Sequence, residues 1–191
     1  ESHDYTAKAG VLATGIVGWP EGKSREELWN AAEAAENRCD AVVAREVRLA
    51  LPNDLPFEII VELVRNHAIM LAEEFCVAVD HAMHAPSAEG DERNCHAHIL
   101  LTARPVDPKT GEFARLKDRR WNFGQNQQTV ALIRQMWEEY YNSVARKYGK
   151  EEIDCRSYSA QGIDKIPGKH MGKNRTAMIR KGFKFVVLLY S

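Results

Sequence analysis

Residues 77–102 read VAVDHAMHAPSAEGDERNCHAHILLT, and the span from His84 to His98 holds three of the chain's seven histidines. His96 and His98 are separated by one residue, so in a strand both imidazoles leave the same face. Ala97, Ile99 and Leu101 then share the opposite face, suited to packing under helices. Upstream, an alternating run from Val77 ends at His84. Between the runs, Pro86 to Asn94 is polar and turn-rich. A strand, a hairpin loop and a second strand would bring His84 beside His96 and His98. Three neutral imidazoles that leave positions open describe a catalytic metal site rather than a closed structural one. A His-x-His pair alone also occurs half exposed and binding nothing; the third histidine favours the metal. His81 is out of phase with His84 and should face the other side.

The remaining elements arrange themselves around this hairpin. Val11 to Val17 reads as a short strand. Ser24-Arg25-Glu26-Glu27 is a capping box opening a helix over 25–38. Residues 41–51 read as a long strand with Arg45, Val47 and Leu49 on one face and Glu46 and Arg48 on the other. Ile60, Leu63, Val64, Ala68, Leu71 and Phe75 mark a helix that follows Pro56 and runs to about 74. The histidine strands are expected at 75–83 and 96–103, with an edge strand over 113–117. Val130, Ile133, Trp137, Tyr141, Val144 and Tyr148 mark the longest helix, terminated by Gly149. A short helix is expected at 176–181 and a strand at 183–190. Strands mixed with helices without regular alternation predict an α+β fold, a mainly antiparallel sheet with flanking helices. The helices should cover one face. The other, carrying His84, His96, His98 and Glu46, should be the working surface.

A length of 191 residues suits a single domain over 1–191. With 45% hydrophobic and 28% charged residues, the chain reads as soluble and globular. No apolar run approaches the length of a bilayer span, and the polar, acidic start is not a secretory signal. Cys39, Cys76, Cys95 and Cys155 are scattered without a C-x-x-C motif. They read as reduced thiols of a cytoplasmic protein. The net charge of −1 hides an asymmetry, because residues 155–191 carry eight Lys and Arg against one acid. That basic segment is a candidate phosphate-binding surface, or else a solvated terminus. Its candidate phosphate contacts are Arg156, Lys165, Lys169, His170, Lys173 and Arg175.

Several segments, taken in order, resemble the MobA/MobL-type relaxases of conjugative or mobilisable plasmids, nickases of the HUH endonuclease group. They are His3-Asp-Tyr-Thr-Ala-Lys-Ala-Gly10, Arg45-Glu-Val-Arg-Leu-Ala-Leu-Pro52, His84 with Asn94-Cys-His-Ala-His-Ile-Leu100, and the stretch from Arg156 to Gly172. The resemblance spans about residues 3 to 182. It implies an HUH relaxase-like sheet in which the three histidines hold a divalent metal, Mg²⁺ or Mn²⁺. That metal would polarise the scissile phosphate of single-stranded DNA at a transfer origin. A tyrosine would attack, leaving a 5′-phosphotyrosyl link. Glu46 stands where the family has an acid near the metal, orienting an imidazole or assisting proton transfer. Arg48 departs from relatives with a second acid there. Accessory transfer and coupling proteins are implied partners.

The family's nucleophile lies upstream of the segment that His3 to Thr6 resembles. The expectation is therefore that the first strand and its tyrosine are missing from this chain, which would bind metal and DNA but nick poorly. Tyr5 and Tyr190 are the substitute candidates, and the strand at 183–190 could fill the missing strand's place. Two other readings remain: a catalytically inactive relative that binds origin DNA, and a rolling-circle-type HUH nuclease.

Overall fold

The computed structural model describes residues 10–86, 94–121 and 126–166. The chain divides into two compact units, Glu1–Cys155 and Arg156–Ser191. In the first, four strands form one antiparallel sheet: β1 (Val11–Val17), β2 (Ala44–Ala50), β3 (Val79–His84) and β4 (His96–Thr102). Their order is β1-β3-β4-β2, so the histidine hairpin is central. Both its strands are flanked by partners, which fixes their positions better than an edge could. β2 and β3 run parallel across β4, and joining parallel strands takes a long crossover. Helix α2 (Phe57–Phe75) supplies it.

One face of the sheet is dry. α2 presents Ile60, Leu63, Val64, Ala68, Leu71 and Phe75 to Leu49, Val79, Met83, Ala97, Ile99 and Leu101. Helix α3 (Asn126–Lys147) adds Ile133, Trp137, Tyr141 and Ala145. Each fully buried Leu or Phe here contributes about 1.5–3 kcal/mol. The α2 stripe matches the sequence expectation, and the α3 stripe does so with a shift in its membership. Val130 and Tyr148 are exposed, whereas Thr129 and Asn142 are buried. These two polar residues can join the stripe because their partners are in place. Thr129 Oγ1 donates to the Arg120 carbonyl at 2.7 Å, and Asn142 pairs with both backbone groups of Ile153 at 2.8 Å.

Helix α1 (Arg25–Ala34) starts with the expected capping box: Ser24 Oγ accepts from the Glu27 amide, and Glu27 returns a bond to the Ser24 amide. It stops short of residue 38. Glu36 instead turns to Arg104 and Lys117, at 2.9 and 3.0 Å. This helix also corrects the expectation that helices cover one face only. Arg25 and Trp29 reach Asp80, which shares the histidine side of β3. A small second core of Leu28, Ala78 and Val106, with Ile16, Trp19, Trp29 and Phe113 against it, anchors that end.

β2 is shorter than the expected 41–51, and the histidine strands are 79–84 and 96–102 rather than 75–83 and 96–103. The edge strand expected at 113–117 reduces to one bridge, Val106 to Phe113. The helix expected at 176–181 and the strand at 183–190 lie outside the described residues. β1 lies directly against β3, and an added Cβ at Gly15 would come within 2.6 Å of the His81 ring. Gly15 is therefore required by close approach. No helix of the described residues is long and apolar enough to cross a membrane.

Candidate functional site

Strand register gathers the histidines. His84 is paired with His96 and Ala82 with His98 across the β3–β4 hairpin. Side chains directly opposite share a face, so all three imidazoles leave the side away from α2. Their ring centroids lie 4.9 Å apart for His84 and His98, 5.1 Å for His96 and His98, and 5.6 Å for His84 and His96. Imidazoles sharing one ion, with metal–nitrogen bonds of about 2 Å, place their centroids roughly 5 Å apart.

The outer nitrogens are engaged in a way that suits such a role. His96 Nδ1 donates to the Asn94 carbonyl at 3.0 Å. His98 Nδ1 donates to Glu46 Oε1 at 2.5 Å. With Nδ1 protonated, Nε2 carries the lone pair, the tautomer a metal ligand needs. Glu46 sits on β2 opposite Leu100, one diagonal step from His98. Its other oxygen accepts from Arg48 at 3.2 Å, so the carboxylate makes both contacts that its position suggests. The His98 hydrogen bond foremost, with Arg48 assisting, holds the Glu46 carboxyl below the usual carboxylate range.

The donor chemistry and spacing thus fit a divalent ion, but the donor atoms are not yet convergent. Among the described residues, no three His, Cys, Asp or Glu side chains are already arranged to hold a metal ion. The rings of His84 and His96 lie nearly parallel, 16° apart, whereas ligands of one ion fan around it. Binding would require one of these rings to turn.

Beside the histidines lies a cleft of about 310 Å³, lined by Arg25, Glu46, Asp80, Ala82, His84, His98 and Leu100. Asp80 is 6% exposed; its Oδ2 accepts from Arg25 Nε at 2.8 Å and Trp29 Nε1 at 3.0 Å. The sequence reading passed over Arg25, Trp29 and Asp80. The available signal was parity: Asp80, Ala82 and His84 alternate onto one face.

His81 and Cys95 stay out of the site as expected, and the remaining candidates lie elsewhere in the chain. His81 faces α2, as its phase required, and is buried. Cys95 Sγ turns to the His84 carbonyl, at 3.4 Å, and its side chain packs on the core. Arg156 and Lys165 are described within the second unit, where Lys165 Nζ lies 5.3 Å from the Tyr158 ring centre. Lys169, His170, Lys173, Arg175, Tyr5 and Tyr190 lie outside the described residues. Of the described tyrosines of the first unit, Tyr141 is buried, Tyr140 accepts a hydrogen bond from Asn66, and none lines the cleft.

Comparison with known proteins gives the chain relatives over most of its length. The family model described as the MobA/MobL family matches residues 1–181. Mobilization protein MobL of Acidithiobacillus ferridurans is 32% identical over 209 aligned residues, covering 94% of this chain and 54% of that protein. Mobilization protein A of Escherichia coli is 29% identical, covering 83% of this chain and 23% of that protein. The chain thus spans about half of the first relative's length and less than a quarter of the second's. A solved structure concerned with the molecular basis of vancomycin resistance transfer in Staphylococcus aureus superposes with a TM-score of 0.63 at 30% identity. It covers 81% of this chain and 80% of its own.

Proposed function

The chain belongs to the MobA/MobL family, and from that premise we propose that it is the catalytic region of a relaxase. Such a region would be a metal-dependent, strand-specific nickase acting on single-stranded DNA at a plasmid transfer origin. The observation that carries this reading is the hairpin register, which sets His84 against His96 with His98 alongside. Those three residues would hold Mg²⁺ or Mn²⁺. When bound, the ion supplies Lewis-acid polarisation of the scissile phosphate.

The chain's own residues do the positioning. Glu46 fixes the His98 ring and its tautomer through Nδ1. The Asn94 carbonyl does the same for His96. The central strands hold both imidazoles on a rigid scaffold, which matters because reacting atoms must be held close and in line. In the reaction, a tyrosine oxygen would form a bond to phosphorus as the bond to the 3′ oxygen breaks. The tyrosine proton goes to solvent or a nearby base, and the departing oxygen ends as a 3′-hydroxyl. No described tyrosine of the first unit lines the cleft, and Tyr5 and Tyr190 are the candidates in this chain for the attacking hydroxyl. Basic residues from Arg156 to Arg175 would contact phosphates, and coupling and accessory transfer proteins would be the partners.

Two measurements test the proposal. Calorimetric titration with Mn²⁺ should show one site in the parent and none in a His96→Ala, His98→Ala double variant. Equal binding by the two proteins would sink the metal site. Incubation with an origin oligonucleotide and Mn²⁺ should give a protein–DNA band, covalent through the attacking tyrosine, on a denaturing gel. Peptide mapping of the adduct would then name that tyrosine.

A further inference from the structure

We propose that Arg25, held by Asp80, is a phosphate-binding residue for the DNA strand presented to the histidines. The proposal rests on the relaxase reading and names a contact within that site which neither the sequence motifs nor the family match assigns.

The geometry of the Arg25–Asp80 pair is the starting point. A guanidinium that serves only to neutralise a carboxylate usually meets it as a two-pronged fork. Here Arg25 approaches side-on through Nε alone, at 2.8 Å from Asp80 Oδ2. The same oxygen accepts from Trp29 Nε1, which fixes the carboxylate from a second direction. Among the described residues, no hydrogen bond engages the two terminal nitrogens of Arg25. Its side chain keeps 24% exposure and forms part of the wall of the histidine cleft. The arrangement leaves donors oriented and unused in a concave site.

Charge supports the same assignment. The cleft is lined by two carboxylates, Glu46 and Asp80, and Arg25 is the one Lys or Arg among its described lining residues. A polyanion entering a site with two acids and no cation would be repelled. Arg25 offsets one of the two acids and presents cationic donors beside it. Position adds a third argument. Asp80 lies four residues before His84 on the same face of β3, a span of roughly 13 Å. A phosphate at Arg25 would therefore lie on the same strand as the one at the histidines without being adjacent to it, and the groove between α1 and the sheet would be its track. Asp80 acts as a positioning residue, because it aims the guanidinium without touching DNA.

The test is metal-free binding of a fluorescein-labelled single strand to the full 191-residue chain, followed by anisotropy in EDTA at several salt concentrations. Arg25→Gln should weaken binding about tenfold and lower the slope of log affinity against log salt by roughly 0.7, the loss of one phosphate contact. Arg25→Lys keeps the charge but not the fork, so the slope should match the parent while affinity falls about threefold. Asp80→Asn should likewise weaken binding with the slope unchanged, which a merely structural role would not produce. Parent-like affinity and slope in Arg25→Gln would overturn the assignment and leave the relaxase reading standing. If Arg25→Gln fails to fold, unchanged affinity in Arg25→Lys overturns it instead. A parent chain that binds no single strand at all overturns both.

Discussion

His81 and His84 lie three residues apart on one strand and live in opposite environments. His81 faces α2, is 5% exposed, and leaves Nδ1 without a hydrogen-bond partner. His67, on α2, is fully buried with neither ring nitrogen paired, its ring edge-on to Trp137 at 5.2 Å. On the other side of the sheet, His96 and His98 each have an outer nitrogen tied and an inner one available. The same side chain is thus an apolar filler on the covered face and a prepared donor on the open one. Strand parity decides which, because one residue's shift changes the face and with it the solvent.

The covered face should show its histidines in acid. Burial pushes His67 down to about 4 and pushes His81 down as well. Between pH 6.5 and 4 the unfolded chain then binds protons at these sites that the folded chain refuses, so stability falls as pH falls through that window. His67 alone accounts for roughly 3 kcal/mol of loss by its lower limit. Urea unfolding at pH 7 and pH 4.5 should show it, and His67→Leu should flatten the dependence. An equal pH dependence in parent and variant would mean that His67 protonates in the folded state without cost.

On the open face, Glu46→Gln should keep the fold, because the side chain is 38% exposed, yet weaken Mn²⁺ binding by about 10–100-fold. The amide still accepts from His98 Nδ1, so the loss should come from reduced basicity at Nε2. Unchanged affinity would reduce Glu46 to a surface ion pair with Arg48. The smallest effect tests the contact between β1 and the covered histidine. Gly15→Ala places a methyl within 2.6 Å of the His81 ring and should cost about 1–3 kcal/mol on thermal unfolding, with metal binding preserved. Equal loss of both properties would show that the two faces are not independent.

Much of this contrast was readable from residues 77–102. Alternation placed Ala97, Ile99 and Leu101 inward and the histidine pair outward, and it separated His81 from His84. The same rule placed Glu46 correctly on β2. Parity could place Asp80 on the histidine face, but its pairing with Arg25 was not legible, because it joins positions 55 residues apart through the docking of α1. The α3 stripe was misread at Val130 and Tyr148 for a related reason. Thr129 and Asn142 look polar in isolation and become buriable only where Arg120 and Ile153 supply partners. The basic segment was legible as charge, but charge alone carries no geometry.

The alternation of His96-Ala97-His98-Ile99 on β4 also guards the folding of the hairpin. If β4 docked one position out of frame, His96 and His98 would be driven beneath α2 and Ile99 and Leu101 turned out to water. The misaligned hairpin would have to desolvate two imidazoles, leaving Glu46, the partner of His98, on the far side, while forfeiting two buried aliphatic chains. Each histidine that prepares the open face for chemistry therefore also marks the correct frame, making a slipped hairpin a poor competitor during assembly.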